Sequence, residues 1–158
     1  AVIQDPAGAI CALFQMDDAT QEYMAPLLEK AAETATQPGK RSWVDLTVED
    51  AEGVRDFYQQ VVGMTSQPVP MEGKGGNYND YNMASADGTV RAGICHKLGS
   101  NADIPSQWMV YFVVPDVDVS VKAVEAGGGK VLTSHNMGDS RMAIIQDPAG
   151  AVCSLFQP

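Results

Sequence analysis

Cysteine, histidine and positive charge are all scarce in this 158-residue chain, which has three cysteines, two histidines and ten lysines and arginines. Cys11, Cys95 and Cys153 are odd in number, far apart and set in apolar strand-like runs, so they read as buried thiols rather than redox or metal groups. Twenty acidic residues leave a net charge of −10, and nucleic-acid binding, which needs a basic footprint, is not expected. The acidic surface favours solubility and is compatible with a cationic ligand. There is no apolar run of about 18 residues, and no charged segment leads into an apolar stretch at the N-terminus. The reading is therefore a soluble, cytoplasmic protein with no membrane partner. With 45% apolar and 19% charged residues, the chain has globular proportions and the length of one ordinary domain.

An internal repeat is present. Ala1 to Gln15, AVIQDPAGAICALFQ, returns as Ala143 to Gln157, AIIQDPAGAVCSLFQ, with twelve of fifteen positions identical at an offset of 142. Two apolar runs flanking Asp-Pro-Ala-Gly predict two strands joined by a tight turn, since Pro fixes one dihedral and Gly relieves the next.

Between the copies, Met16 to Arg41 reads as a helical linker, with a helix over Ala25 to Ala35 that places Pro26 in its first turn. Trp43 to Val48 alternates as a half-buried strand, with Val44, Leu46 and Val48 on one face and Trp43, Asp45 and Thr47 on the other. Asp50 opens a helix whose apolar stripe is Val54, Phe57, Tyr58, Val61 and Val62 and whose stop is Gly63. Three strands follow. They are Met64 to Met71, put at a sheet edge by its two prolines, then Tyr78 to Met83 and Thr89 to His96, joined at Asp87 and Gly88. The glycine-rich Glu72 to Gly76 lacks a phosphate-loop pattern and a following helix, and it has no nucleotide role. The order recurs from Trp108 with a strand, a helix begun by Asp116 and Asp118 and stopped at Gly127, a strand from Lys130, and the pair Met142 to Gln157. Asp50 and Gly63 match Asp116 and Gly129 at one offset of 66, so the two halves are duplicated.

A duplicated strand, helix and three-strand unit with V-x-D before each helix, FY in the first helix and a DPAG turn before the last strand resembles the vicinal oxygen chelate superfamily. That group comprises glyoxalase I, extradiol dioxygenases and the fosfomycin and bleomycin resistance proteins. The W-x-D-L opening, V-x-A-G-I, W-x-V-Y-F and QDPAGAVCSLFQ are most similar to the tandem-module glyoxalase-like proteins of bacteria. The resemblance implies an α+β fold of paired βαβββ units, with curled mixed sheets around a cleft and helices outside. It divides the chain into an extra strand pair (1–15), a helical linker (16–41) and the domain (42–158, units 42–98 and 106–158).

Carried over by position, the superfamily's metal-ligand places fall on Trp43 and Met109, seven residues before each helix-initial Asp, and on Ala92 and Ser154, four after each turn glycine. None is a usual hard-metal ligand. His96 and His135 have no chelating neighbour at short spacing and read as hydrogen-bonded or partly exposed, so neither a metal nor another cofactor is assigned. The expected ligand-binding set is Trp43, Asp45, Thr47, Ala92, Met109, Tyr111 and Ser154, lining a cleft for a cationic or aromatic small molecule. Two alternatives stand beside this binding role: a metal-dependent lyase, isomerase or dioxygenase with unusual ligands, and an assembly module. Residues 1–15 read as the end of an upstream unit in a longer tandem protein, or as a strand pair docked on a neighbouring sheet, with strand exchange in a homodimer as a further hypothesis. Unchanged mass and melting after deletion of 1–15 would rule out that exchange.

Overall fold

The computed structural model describes residues 1–33, 37–73 and 75–158, with side chains at 28–33 left aside. Two compact units result, Ala1–Phe14 with Val44–Trp108 and Gln15–Trp43 with Met109–Pro158. The extra strand pair is thus grouped with the first unit, and most of the linker with the second.

In the first unit the Val44–Val48 part of β3 (Arg41–Val48) precedes α2 (Ala51–Val62), β4 (Thr65–Gly73), β5 (Gly76–Ala84) and β6 (Val90–His96). The strand order is β4-β5-β6-β3, antiparallel except for the parallel pairing of β6 with β3. The second unit repeats it with the Met109–Val113 part of β7 (Trp108–Val113), α3 (Val117–Ala126), β8 (Lys130–Met137), β9 (Ser140–Gln146) and β10 (Val152–Gln157). There β8-β9-β10 is antiparallel and β10 runs parallel to β7. The α+β class and the duplicated βαβββ order are those the sequence implied.

Local chemistry explains the boundaries. The Asp50 carboxylate accepts from the Gly53 amide at the start of α2, and Gly63 ends that helix with φ 75°, a left-handed cap that favours glycine. Asp116 repeats the cap by accepting from Val119 N. Pro68 and Pro70 pair opposite Tyr81 and Asn79 in β4. At two-residue spacing both point their missing amides to the same side, away from β5, which is the tolerance of an edge strand. Leu46, Val48, Val54, Tyr58 and Ile94 form a core between the strands and α2, each worth on the order of 1.5–3 kcal/mol if fully buried. Val61 and Val62, expected on the same stripe, are 42% and 46% exposed because the last turn of α2 runs past that core.

One expectation is corrected. Helix α1 spans Asp18–Glu33, and Pro26 lies inside it rather than in its first turn. Asp17 starts the helix earlier by accepting from Thr20 N at 2.8 Å, and one interior backbone bond is forgone at Pro26. The expected end at Ala35 lies outside the described residues. The N-terminal pair, β1 (Val2–Gln4) and β2 (Ile10–Ala12), pairs with no further strand among the described residues of the chain. It forms its own two-stranded sheet, and its turn packs on α2 and Trp108, where the Tyr58 hydroxyl donates to Asp5 Oδ2 at 3.1 Å and receives Trp108 Nε1 at 2.8 Å.

The β5–β6 turn gives a first prediction. Asp87 Oδ1 accepts from the Ser85 hydroxyl at 2.6 Å and from Thr89 N at 2.8 Å. These bonds, with Arg91 adding less, draw its carboxyl from 3.8 down to about 2. A lowered carboxyl contributes stability above its unfolded value that is lost as pH falls through the folded one. The stability advantage of the native protein over Asp87→Asn is therefore expected at neutral pH and should vanish between about 4 and about 2 in urea titrations.

Candidate binding site

The strongest polar constellation lies in the first unit. Alternation along β5 places Tyr78, Asp80 and Asn82 on one face, and the register sets Asn82 beside Gly93 and Gly93 beside Asp45. The next row holds Cys95 and Thr47, which are also register partners. Gly93 contributes no side chain, so the floor between Asn82 and Asp45 is low. Burial, with the Asp45 and Asp80 carboxylates, pushes the Cys95 thiol up and keeps it neutral. Burial raises the Tyr78 phenol too, helped by Asp80 and Cys95. These shifts tie Asp45, Cys95, Asp80 and Tyr78 into one electrostatic neighbourhood.

Tyr78 joins this face to a groove of about 750 Å³ whose walls are Met71, Glu72, Asn77, Tyr78 and the segment from Leu98 to Asn101. That size suits a drug-sized molecule, and the wall offers an aromatic face, a thioether, amides and one carboxylate.

Behind Tyr78 stands His96, with ring centroids 5.3 Å apart and planes at 75°. The histidine is buried, at 8% exposed, and both ring nitrogens face carboxylates. Nδ1 lies 3.2 Å from Asp80 Oδ1 and Nε2 lies 2.9 Å from Glu52 Oε2, while the His96 backbone amide donates to Asp80 Oδ1 at 2.8 Å. Both ring contacts are hydrogen bonds only when both nitrogens carry protons. Glu52 also accepts from the Tyr81 hydroxyl at 3.0 Å. Desolvation works to raise the Glu52 carboxyl, but its own amide, Tyr81 and His96 outweigh it and hold the carboxyl low. His96 is thus hydrogen-bonded, one of the two states expected of the histidines, and His135 likewise meets Thr133 Oγ1 at 3.3 Å.

The expected site residues are distributed unevenly. Asp45 and Thr47 share the polar face of the first unit, Asp45 half-buried and Thr47 buried. Ala92 lies on the opposite face, in the core with Ile94 and Leu46, and the expectation that it lined the site is corrected. The register shifts between Met83 and Ala84, where Arg91 is skipped, so a bulge reverses the inward and outward alternation after the turn. In the second unit Tyr111 and Ser154 are register partners, as expected for one face. Met109, Tyr111 and Ser154 are nevertheless buried at 1%, 9% and 0% exposure, making them interior groups rather than an open wall. Trp43 is half-buried. Among the described residues, Ser154 Oγ is the buried side-chain polar atom without a hydrogen-bond partner.

The residues at the superfamily's metal-ligand places do not fit a metal. They offer an indole, a thioether, a methyl group turned to the core and a hydroxyl, and the described residues contain no group of three His, Cys, Asp or Glu suited to hold an ion. No chemical step is derived through one.

The sequence matches the glyoxalase-like domain over residues 43–156, most of the chain. The chain belongs to the glyoxalase-like domain family. It is 36% identical over 122 residues to the "Putative glyoxylase CFP32" of Mycobacterium tuberculosis, covering 75% of this chain and 46% of that protein. It is 33% identical over 138 residues to the anthracycline biosynthesis protein DauV of Streptomyces sp. strain C5, covering 78% and 49%. This glyoxalase-like chain spans about half the length of the curated relatives it matches. Among solved structures it is similar to a glyoxalase/bleomycin resistance protein/dioxygenase superfamily member from Vibrio splendidus 12B01, with TM-score 0.48, 14% identity and coverage of 73% and 97%. The methylmalonyl-CoA epimerase of Mycobacterium tuberculosis gives TM-score 0.47 and 15% identity, covering 75% and 87%.

Tyr78, Asp80, His96 and Glu52 were not among the expected site residues. The alternation of YNDYN carries a signal for the first two, since it puts an aromatic, a carboxylate and an amide on one strand face. Glu52 reads in sequence only as an acidic residue in a helix's first turn.

Proposed function

We propose that this glyoxalase-like chain binds a small, planar aromatic molecule against the Tyr78 wall of the first unit, without a bound metal. The groove of about 750 Å³, with Tyr78 and Met71 in its wall and Glu72 as its carboxylate, carries the reading. Similarity to an anthracycline biosynthesis protein supports an aromatic polyketide as the ligand class. An aromatic ring stacks on or packs against Tyr78, and a ligand ammonium is attracted by Glu72. The ligand is held and sequestered rather than transformed.

Doxorubicin, a cationic anthracycline, is the probe. Its fluorescence should change saturably on titration, and Tyr78→Ala should weaken binding about tenfold, which corresponds to about 1.4 kcal/mol. Unchanged fluorescence at millimolar protein, or equal affinity in Tyr78→Ala, would overturn the proposal.

A further inference from the structure

We propose that Glu52 and His96 are positioning residues for the groove, fixing the orientation of Tyr78 from the far side although neither lines the groove. This inference rests on the groove reading for its binding arm but has an arm independent of it.

The linkage is a short series of contacts. Glu52 sits in the first turn of α2, half-exposed, where its two carboxylate oxygens are divided between Tyr81 Oη at 3.0 Å and His96 Nε2 at 2.9 Å. The Tyr81 ring is backed by Arg55, whose guanidinium carbon lies 4.5 Å from the ring centroid. His96 is gripped at its other nitrogen and at its own amide by Asp80, so its ring cannot turn without losing a bond at one side or the other. The Tyr78 ring then packs edge-to-face on that fixed imidazole at 5.3 Å. Tyr78 is otherwise part of a groove wall with open space on one side. A ring with one free face keeps a single orientation only if its packed face is rigid, and the carboxylate grip on His96 provides that rigidity. Pre-ordering the wall spares the ligand the entropy of ordering it.

Glu52→Ala is the discriminating variant, because Glu52 is exposed and outside the groove. Without ligand, the Tyr78 ring proton signals in NMR spectra should move toward random-coil shifts and sharpen, while signals from α3 stay in place. Doxorubicin affinity should fall about threefold to tenfold, with Glu52→Gln, which can still accept from His96, recovering most of it. In the Tyr78→Ala background Glu52→Ala should have no further effect, as expected when one residue acts through another. Unmoved Tyr78 signals, or an equal loss with and without Tyr78, would overturn the proposal. If doxorubicin fails to bind the native protein at all, the groove reading fails, and the positioning claim stands or falls on the ring signals alone.

Discussion

Replacing His96 by alanine is expected to cost about 3 kcal/mol of folding stability, read as a lowered midpoint in urea with an unchanged slope. Two losses combine. Removing a buried ring leaves a cavity beside Tyr78. It also strips a partner from Asp80, whose side chain is only 9% exposed and is left with the backbone amide of residue 96 and the Cys95 thiol. A buried carboxylate deprived of its cationic or hydrogen-bonding partner is among the more costly defects in a protein. Glu52 is a different case. Its side chain is 51% exposed, so water takes its place at His96 Nε2 and its removal should cost well under 1 kcal/mol. The contrast separates the two ends of the network: Asp80→Asn should resemble the His96 variant more than the Glu52 variant does.

Why the sequence revealed the fold so fully and the site so partially follows from the range of the forces involved. Strand alternation, Asp50 and Asp116 as helix starts, Gly63 as a stop and the prolines of β4 are local signals, decided within a few residues. The duplicated order made the pairing of each half legible as well. The site depends on contacts between residues 16 and 44 positions apart, Asp80 with His96 and Glu52 with His96, which no spacing rule connects. Ala92 shows how narrow the margin is. Counting four residues from a turn glycine gives a residue on the expected face in the second unit, Ser154 beside Tyr111, but not in the first, because one skipped residue at Arg91 reverses every side chain after it. Pro26 failed for a simpler reason: the helix begins at Asp18, a turn and more before the strong helix formers start.

The repeated hairpin offers an internal control for the second large effect. The turns at Asp5 and Asp147 have the same construction. Oδ1 of each accepts two amides at 2.9 Å, from Ala7 and Ala9 in one and from Ala149 and Ala151 in the other, and Gln4 and Gln146 each donate to the glycine carbonyl four residues on. Their surroundings differ. Asp147 is exposed, whereas Asp5 is 5% exposed and Ala9 2%, because the first hairpin sets its turn on α2. Tyr58 is the latch. Its ring is 2% exposed and meets Phe57 and Trp108 edge-on at 5.1 and 5.2 Å, while its hydroxyl bridges Asp5 and Trp108. Burial first, with Asp5 adding to it, pushes the phenol above its ordinary range, so it stays a donor at any working pH. Tyr58→Ala is therefore expected to cost about 4 kcal/mol and to release residues 1–14, seen as fast amide exchange confined to the hairpin in whatever fraction stays folded. Tyr58→Phe isolates the hydroxyl and should cost about 1–3 kcal/mol, since it leaves Asp5 Oδ2 and the Trp108 indole N–H without that partner. Asp147→Ala loses only the turn bonds, about 1 kcal/mol, and Asp5→Ala should exceed it by the value of the Tyr58 contact. Equal costs at the two aspartates would mean that the shared turn, and not the latch, holds the first hairpin in place.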